Sequence, residues 1–283
     1  MKIKIITTSS STIDYMSSPY SISVIPDIIS YSKNEEYLDY LEAESEIFYN
    51  RLKMDLTGKP KIEPNRIEYI RKIVDASIEN EYEQILFILP SANIVDYKAL
   101  VELAMKDYEI SYYVYQSIHI GYPLAHLTLE ADRMLKENMD IYNVIKKIDE
   151  ISLNIKLFIY SPEKDLLSAI KRVELDDDIL SYDDSGKIYS YNMGSLNEIK
   201  VDKNNYPLAK ILTIYLKELD KQSSMPFILY SSKLSKYINF IEDTILKLYP
   251  KLKKIKAFPV PPALGCMAGC NSIGIGYIKK IEQ

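Results

Sequence analysis

The feature that most constrains the fold is a short, almost uninterrupted apolar segment, EQILFIL at residues 83–89. Such a strand is typical of a parallel sheet with helices on both faces. Short apolar runs alternate with amphipathic helical segments around it, and this alternation predicts a doubly wound sheet. We expect strands at 2–7, 22–29, 83–89 and 112–115, and helices at 42–54, 65–79, 94–106 and 120–138.

The second half of the chain has a different pattern. We expect strands at 157–160, 227–230 and 273–281, a hairpin of 179–182 with 188–193 around DDSG, and helices at 162–172, 204–221 and 233–248. Hairpins mixed with helix-linked strands predict an α+β sheet. The sequence therefore predicts an α/β protein of two domains, with a Rossmann-like parallel sheet in residues 1–152 and a mixed sheet in residues 153–283.

Composition excludes several classes of function. Of the 283 residues, 47% are hydrophobic and 27% charged, and the net charge of -5 offers no basic surface to nucleic acid or anionic lipid. No apolar run is long enough to span a membrane. The first residues form a strand pattern instead of a signal peptide, so we expect a cytoplasmic protein.

Hydroxyl side chains follow two of the predicted strands. Ser9 and Ser10 come after the first strand, and Ser91 and Ala92 follow the strand that ends at 89. Right-handed crossovers would place both loops at one edge of the sheet, where ligands bind in open α/β folds. Serines at these positions also serve as helix caps, so both interpretations stay open.

Other polar clusters have simpler explanations. No P-loop, GxSxG, HExxH or GxGxxG pattern occurs in the chain. His119 and His126 lie seven apart on a predicted helix without a carboxylate to complete a metal site, which favours ordinary core or surface histidines. Cys266 and Cys270 could form a redox pair, but small buried thiols in a glycine-rich turn are commoner. The acidic residues between 174 and 184 lack EF-hand spacing and indicate a solvated loop.

Six strings, in order and at nearly the expected spacing, resemble the DegV family of two-domain fatty-acid-binding proteins. They are TTSSSTID at 7–14, EYLD with IFYNRL at 36–39 and 47–52, TGKPKIEP at 57–64, LPSANIVDYKAL at 89–100, QSIHIG with LTLEADRML at 116–121 and 127–135, and PALGCMAGCNSIGIGYI at 262–278.

The resemblance implies that an acyl chain lies in an apolar tunnel between the domains, with its carboxylate held by hydroxyl groups at the mouth. The ligand is then a long-chain fatty acid, with no other cofactor and no metal, and the protein is a binding protein and not an enzyme. In bacteria that have a fatty acid kinase, that partner phosphorylates the presented carboxylate. The ligand-binding positions implied are Ser9, Ser10, Ile62, Ser91, Ala92, Gly265, Met267 and Ala268.

The sequence differs from the family motifs at the positions that would contact the polar end of the ligand. Ile62 stands where the family has a threonine, and Met267 and Ala268 stand where it has histidine and threonine. The arginine motif has no equivalent, and Lys171 and Arg172 are the nearby cations. Loss of each hydrogen-bonding or charged anchor costs on the order of 1.5–3 kcal/mol of binding free energy, so we expect weaker binding of the carboxylate headgroup.

Two alternatives follow from these departures. A scaffold that has lost lipid binding and acts in protein interaction would have its tunnel blocked by side chains such as Met267 or Phe258. An enzyme acting on a small acyl substrate would place a histidine or carboxylate within hydrogen-bond reach of Ser91.

Overall fold

The computed structural model describes residues 2–16, 21–32, 35–54, 60–161, 187–192, 194–199, 214–217, 224–231, 235–250, 252 and 254–279. The strands are β1 Ile3–Thr8, β2 Ile22–Ile25, β3 Ile28–Ser32, β4 Glu35–Leu38, β5 Lys61–Glu63, β6 Gln84–Leu89, β7 Ser111–Gln116, β8 Ile155–Ser161, β9 Lys187–Asn192, β10 Ser195–Ile199, β11 Ser224–Tyr230, β12 Lys256–Pro259 and β13 Ile273–Lys279. The helices are α1 Ser45–Met54, α2 Ile67–Glu79, α3 Lys98–Met105, α4 Gly121–Lys136, α5 Ile141–Ser152, α6 Ser235–Leu248 and α7 Pro262–Ala268.

The N-terminal half contains the predicted parallel sheet, with strand order β2-β1-β6-β7. Alternate side chains of β6 enter two different cores. Leu86 and Ile88 pack with apolar residues of α4 and α5, whereas Ile85 and Phe87 pack with those of α2 and α3. Helices therefore cover both faces, which explains why this strand is apolar along its whole length.

The single strand expected at 22–29 is wrong. The chain leaves the parallel sheet after β2, passes through Pro26 and Asp27, and enters β3 of a second, antiparallel sheet with order β4-β3-β5. Proline has no amide hydrogen to donate to a ladder, so the apolar run divides there. Helix α5, which the sequence did not predict, is capped by Asp140, whose carboxylate accepts hydrogen bonds from the backbone amides of Tyr142 and Asn143.

The C-terminal half contains a mixed sheet with order β10-β9-β8-β13-β11-β12, in which only β11 and β12 pair in parallel. Both edges of β9 are occupied, by β8 and β10, so the predicted hairpin with residues 179–182 is wrong. Residues 179–182 and the helix expected at 162–172 lie outside the described residues, as does most of the helix expected at 204–221. The division into domains at residue 153, between α5 and β8, stays a prediction.

The two faces of the mixed sheet have different neighbours. On one face, Phe158 and Ile275 pack with Ile241 and Ile245 of α6. On the other, Leu157 and Leu229 join the large core that also contains α4 and α5 of the N-terminal half. A continuous apolar cluster therefore connects the two halves, and the candidate site lies within it.

Candidate functional site

Three loops meet at the carboxyl edge of the parallel sheet. They follow β1, β6 and β7 and are joined by backbone hydrogen bonds: Ser117 N to Leu89 O at 2.9 Å, Ser91 N to His119 O at 3.0 Å, and Gly121 N to Ser10 O at 2.8 Å. The expectation that the loops after β1 and β6 share one edge is confirmed. These bonds fix the loops against each other.

Gly121 brings this edge close to the C-terminal half. Its φ of +61° lies in the left-handed region, and a Cβ there would be 3.4 Å from a methyl group of Leu229 and 3.6 Å from one of Leu264. The backbone conformation favours glycine, whereas the space would accept a Cβ at ordinary contact distance.

A narrow apolar cavity of about 50 Å3 lies between the loops at this edge, one face of the mixed sheet and α7. It is lined by Ile94, Ile120, Gly121, Leu157, Ile159, Leu196, Leu229, Val260, Leu264, Met267, Ala268, Ser272 and Gly274. Ser272 is the only side chain in this set with a polar atom. The cavity is smaller than the roughly 300–1,000 Å3 of typical small-molecule sites, so the described walls stand close together.

Ser91 lies beside this cavity under the turn between β9 and β10. The side chain is 3% exposed, and a Cβ on Gly194 would fall 2.8 Å from its hydroxyl oxygen. Burial raises the pKa of Tyr191. The Tyr191 phenol donates to the backbone carbonyl of Ile118 at 2.8 Å. Ser91 therefore contacts the C-terminal half and not open solvent.

Ser9 and Ser10 lie in a buried network centred on Asp27. Their hydroxyls donate to one carboxylate oxygen of Asp27 at 3.1 and 2.6 Å, and the phenol of Tyr97 donates to the other at 2.8 Å. Burial raises the pKa of Asp27 to about 6, although the bonds from Ser10, Tyr97 and Ser9 work against the rise. The arrangement ties β1, β3 and α3 together.

Two further carboxylates lie near Asp27. Burial, and then the charge of Asp27, raise the pKa of Asp14 to about 6. The same two causes raise the pKa of Asp39 well above its usual range, and within the described chain neither of its oxygens makes a hydrogen bond of ordinary length. Negative charge is therefore already unfavourable in this part of the N-terminal half.

The C-terminal motif PALGCMA forms α7, although we expected a turn there. Leu264, Met267 and Ala268 line the cavity. Gly265 faces the opposite side, where a Cβ would meet the phenol oxygen of Tyr49 at 2.5 Å and the ring of Phe48 at 2.6 Å. Helix α7 is therefore a thin wall between the cavity and α1.

The remaining predicted positions are dispersed. Ile62 is partly buried on β5 and packs on the apolar cluster that contains Leu264 and Met267, without lining the cavity. Ala92 is exposed. The structure thus brings Met267, Ala268 and the Ser91 loop to the cavity, and leaves Ser9 and Ser10 in the Asp27 network.

The side chains of His119, Cys266 and Cys270 each contact a backbone carbonyl. His119 precedes α4 instead of lying within a helix, and its Nε2 lies 2.8 Å from the carbonyl of Ser152. Burial lowers the pKa of His119 to about 4. The thiol of Cys266 donates to the carbonyl of Pro262 at 3.4 Å, and that of Cys270 to the carbonyl of Tyr49 at 3.6 Å. Neither cysteine is in a disulfide.

The described residues lack two further features. They contain no group of three or more histidine, cysteine, aspartate or glutamate side chains arranged to hold a metal ion. Within the same ranges, no helix combines the length and apolar character needed to cross a bilayer.

The sequence reading missed several residues that shape the site. Asn93 and Tyr191 connect the loops after β6 and β7 to the C-terminal half, and Asp27 holds Ser9 and Ser10. The sequence could have pointed to Asp27, because it is the single carboxylate inside the apolar run 22–29. Tyr191 had none, since the chain contains 25 tyrosines and nothing local distinguishes this one.

These features define an α/β protein in which a parallel sheet and a mixed sheet enclose an apolar cavity. The model of the DegV family, whose description reads "uncharacterised protein", matches residues 2–173. The chain belongs to the DegV family.

Its relatives share the architecture over nearly the whole length. A DegV domain-containing protein of Clostridium perfringens is 24% identical over 293 residues, covering 99% of both chains. A Thermotoga maritima protein, TM841, described as having a fatty acid binding function, superposes with a TM-score of 0.80 at 19% identity and 99% coverage of both. A stearic acid-binding protein of Eubacterium ventriosum gives 0.83 at 16% identity and 98% coverage of both. At these identities the structural matches establish the fold.

Proposed function

We propose that the protein binds a long-chain fatty acid or a related acyl lipid in the cavity between its two halves. The observation that carries the proposal is the chemistry of the cavity wall, which is apolar at every lining side chain except Ser272. About twelve buried methylenes would contribute on the order of 10 kcal/mol. Fatty acid binding by TM841 and by the Eubacterium ventriosum protein, which have the same fold, supports this assignment.

The narrow cavity requires the wall to move. At about 50 Å3 it has room for only a few water-sized groups, so an acyl chain would enter as Leu196, Leu264 and Met267 change rotamer and α7 shifts from the mixed sheet. Methionine and leucine at the wall suit such a change, because methionine in particular fills irregular spaces at low cost.

The same narrowness favours a second candidate function, a protein-interaction scaffold that no longer binds lipid. Met267 lines the cavity as that alternative requires, whereas Phe258 stacks on Tyr122 with ring centroids 4.5 Å apart. The third alternative, an enzyme, has less support, since His119 contributes only its backbone carbonyl to Ser91 among the described contacts and its ring contacts the Ser152 carbonyl.

A kinase partner is a separate part of the proposal. It needs a fatty acid whose carboxylate is accessible, and incubating loaded protein with a fatty acid kinase and ATP would reveal an acyl phosphate. Lipid binding itself does not depend on that partner.

The direct test is to identify lipid extracted from the purified full-length protein by mass spectrometry, and then to measure acyl lipid binding by the delipidated protein. Ala268→Phe fills the cavity from α7 and should weaken binding at least tenfold. Ala76→Phe, on the exposed surface of α2, is the matched control and should leave binding unchanged. Absence of any extracted lipid, together with no binding by the wild type, would favour the scaffold.

A further inference from the structure

A second cavity, which we call the lysine cavity after Lys2, Lys4 and Lys72 on its wall, lies between α2 and the first residues of the parallel sheet. Its volume of about 420 Å3 falls within the roughly 300–1,000 Å3 of typical small-molecule sites. The described walls of this cavity and of the apolar cavity between the two halves have no residue in common. The lysine cavity is therefore a separate candidate site.

The wall of the lysine cavity has one sign of charge. It contains the three lysines, and among its described residues there is no aspartate or glutamate. Three glutamates close in sequence are exposed and lie outside this wall: Glu79, Glu81 and Glu83. The whole chain has a net charge of -5, so the positive charge at this cavity opposes the overall composition. Such a cavity attracts an anion.

Lys4 occupies a position that a parallel sheet usually gives to an apolar residue. Side chains alternate along a strand, so Lys4 lies on the same face of β1 as Ile6, which packs with apolar residues of α2 and α3. Lys4 is only 7% exposed. Burial, and then the charge of Lys2, lower the pKa of Lys4. Because a buried charge is unfavourable, an anion in the cavity would offset this cost.

One aromatic ring holds Lys2 and Lys4 close together. Their Nζ atoms lie 4.5 and 5.1 Å from the centroid of the Tyr82 ring. The Lys2 ammonium also donates to the backbone carbonyl of Asn80 at 2.6 Å. An ammonium group has three hydrogens, so Lys2 keeps donors for a ligand after this bond. Two cationic donors are therefore in place at the cavity before any ligand binds.

A phosphate group suits this wall better than a carboxylate. A phosphate monoester carries close to two negative charges at neutral pH and has three strong acceptor oxygens, and lysine is a common partner of phosphate. The cavity has room for more than a phosphate group, and Tyr69 and Ile73 add an aromatic and an aliphatic surface. Burial, and then the charge of Asp14, raise the pKa of Tyr69. The negative field of Asp14 therefore favours the phosphate at the lysines and the organic part near Tyr69.

We propose that the lysine cavity binds a small phosphorylated molecule, with its phosphate between Lys2, Lys4 and Lys72 and its organic part against Tyr69 and Ile73. This site is independent of the lipid-binding function proposed above, because it uses other residues.

Isothermal titration calorimetry on the full-length protein at constant ionic strength tests the proposal. The probes are inorganic phosphate, ribose 5-phosphate and AMP, and the controls without phosphate are ribose and adenosine. Phosphate-bearing probes should bind with dissociation constants below about 1 mM, and the controls should not bind. Tighter binding of an ester than of inorganic phosphate would identify an ester as the ligand, and equal binding would identify phosphate itself. Binding of none of the three phosphates, or of adenosine as tightly as AMP, would overturn the proposal.

Lysine variants test the location of the site in the same titration. Lys4→Met removes the buried charge but keeps an unbranched side chain, and should weaken binding of the phosphate probes about tenfold. Lys72→Gln changes an exposed residue of α2, so folding is preserved, and should weaken binding about threefold. Lys147→Gln, at an exposed lysine of α5, is the matched control and should have no effect. Equal affinities of the Lys72→Gln and Lys147→Gln variants would place the anion elsewhere and overturn the assignment.

Discussion

The side-chain amide of Asn93 donates a hydrogen bond to the backbone carbonyl of Gly194 over 2.9 Å, although the two residues are 101 positions apart. This bond attaches the loop after β6 to the β9–β10 turn, and the bond from Tyr191 to Ile118 attaches the loop after β7 to β9. The two halves are thus connected by directional polar contacts as well as by the apolar cluster.

Removing one of these bonds should destabilise the fold. Tyr191→Phe leaves the Ile118 carbonyl without its donor and should lower the free energy of unfolding by about 1–3 kcal/mol, since a buried acceptor loses its partner. Urea denaturation measures the change. Tyr112→Phe, at a phenol 37% exposed, is the control and should have little effect. Equal stability of the two variants would show that the Tyr191 bond contributes nothing.

Gly265→Ala should disturb the contact between α7 and α1. The added methyl would lie 2.5 Å from the phenol oxygen of Tyr49, so the ring or the helix must move. We expect a loss of about 1–3 kcal/mol in the free energy of unfolding, as for other overpacked sites. If that clash is the cause, Gly265→Ala should cost less stability in a Tyr49→Leu background than in the wild type, each compared with its own parent, because Tyr49→Leu itself removes a buried ring and its bond to the Val260 carbonyl. An equal cost in the two backgrounds would indicate that another contact is responsible.

Asp14 makes stability depend on pH in a definite direction. Its pKa is raised from 3.8 to about 6, so the native protein binds more protons than the unfolded chain between these values. The contribution of Asp14 is therefore most favourable below pH 4 and is lost as the pH rises through 6. Asp14→Asn should raise the free energy of unfolding by about 3 kcal/mol at pH 7 and by less than about 1 kcal/mol at pH 4.

Urea denaturation at the two pH values measures the effect of Asp14→Asn. Asp243→Asn, on the exposed side of α6, is the control and should leave stability nearly unchanged. A gain that is the same at pH 4 and pH 7 would contradict the assignment to the Asp14 charge.

The two thiols should react slowly in the native protein. Burial raises the pKa of Cys266 well above its usual range, and Cys270 is 7% exposed. Because the thiolate is the reactive form, 5,5′-dithiobis(2-nitrobenzoic acid) at pH 7.5 should modify both only after unfolding in urea. Rapid modification of the folded protein would support the redox pair that the sequence left open.

The sequence predicted the parallel sheet well because its signals were local and redundant. The apolar run that became β6 is bounded by polar residues on one side and Pro90 on the other, and the helices around it are amphipathic. The division of residues 22–29 into two strands could not be predicted locally. It depends on the pairing of β3 with β4 and β5, which are separate segments of the chain.

The candidate site was less predictable. Motif similarity pointed to Met267 and Ala268, which do line the cavity, but also to Ser10 and Gly265, whose neighbours are Asp27 and Tyr49. A local string specifies which residues occur near a turn, whereas the direction of a side chain depends on what packs against it. The helix at 262–268 was missed for the same reason, because a segment containing a glycine and a cysteine has low helix propensity by itself.

Helix α7 touches the cavity with Leu264 and Met267 and touches α1 with Gly265, and it is only seven residues long. A helix of two turns is too short to bend internally. An acyl chain that widens the cavity would therefore push α7 as a unit, and the Gly265 side of the helix would press against the rings of Phe48 and Tyr49. Backbone amide exchange in α1, at the molecular surface, should therefore report whether the interior is filled.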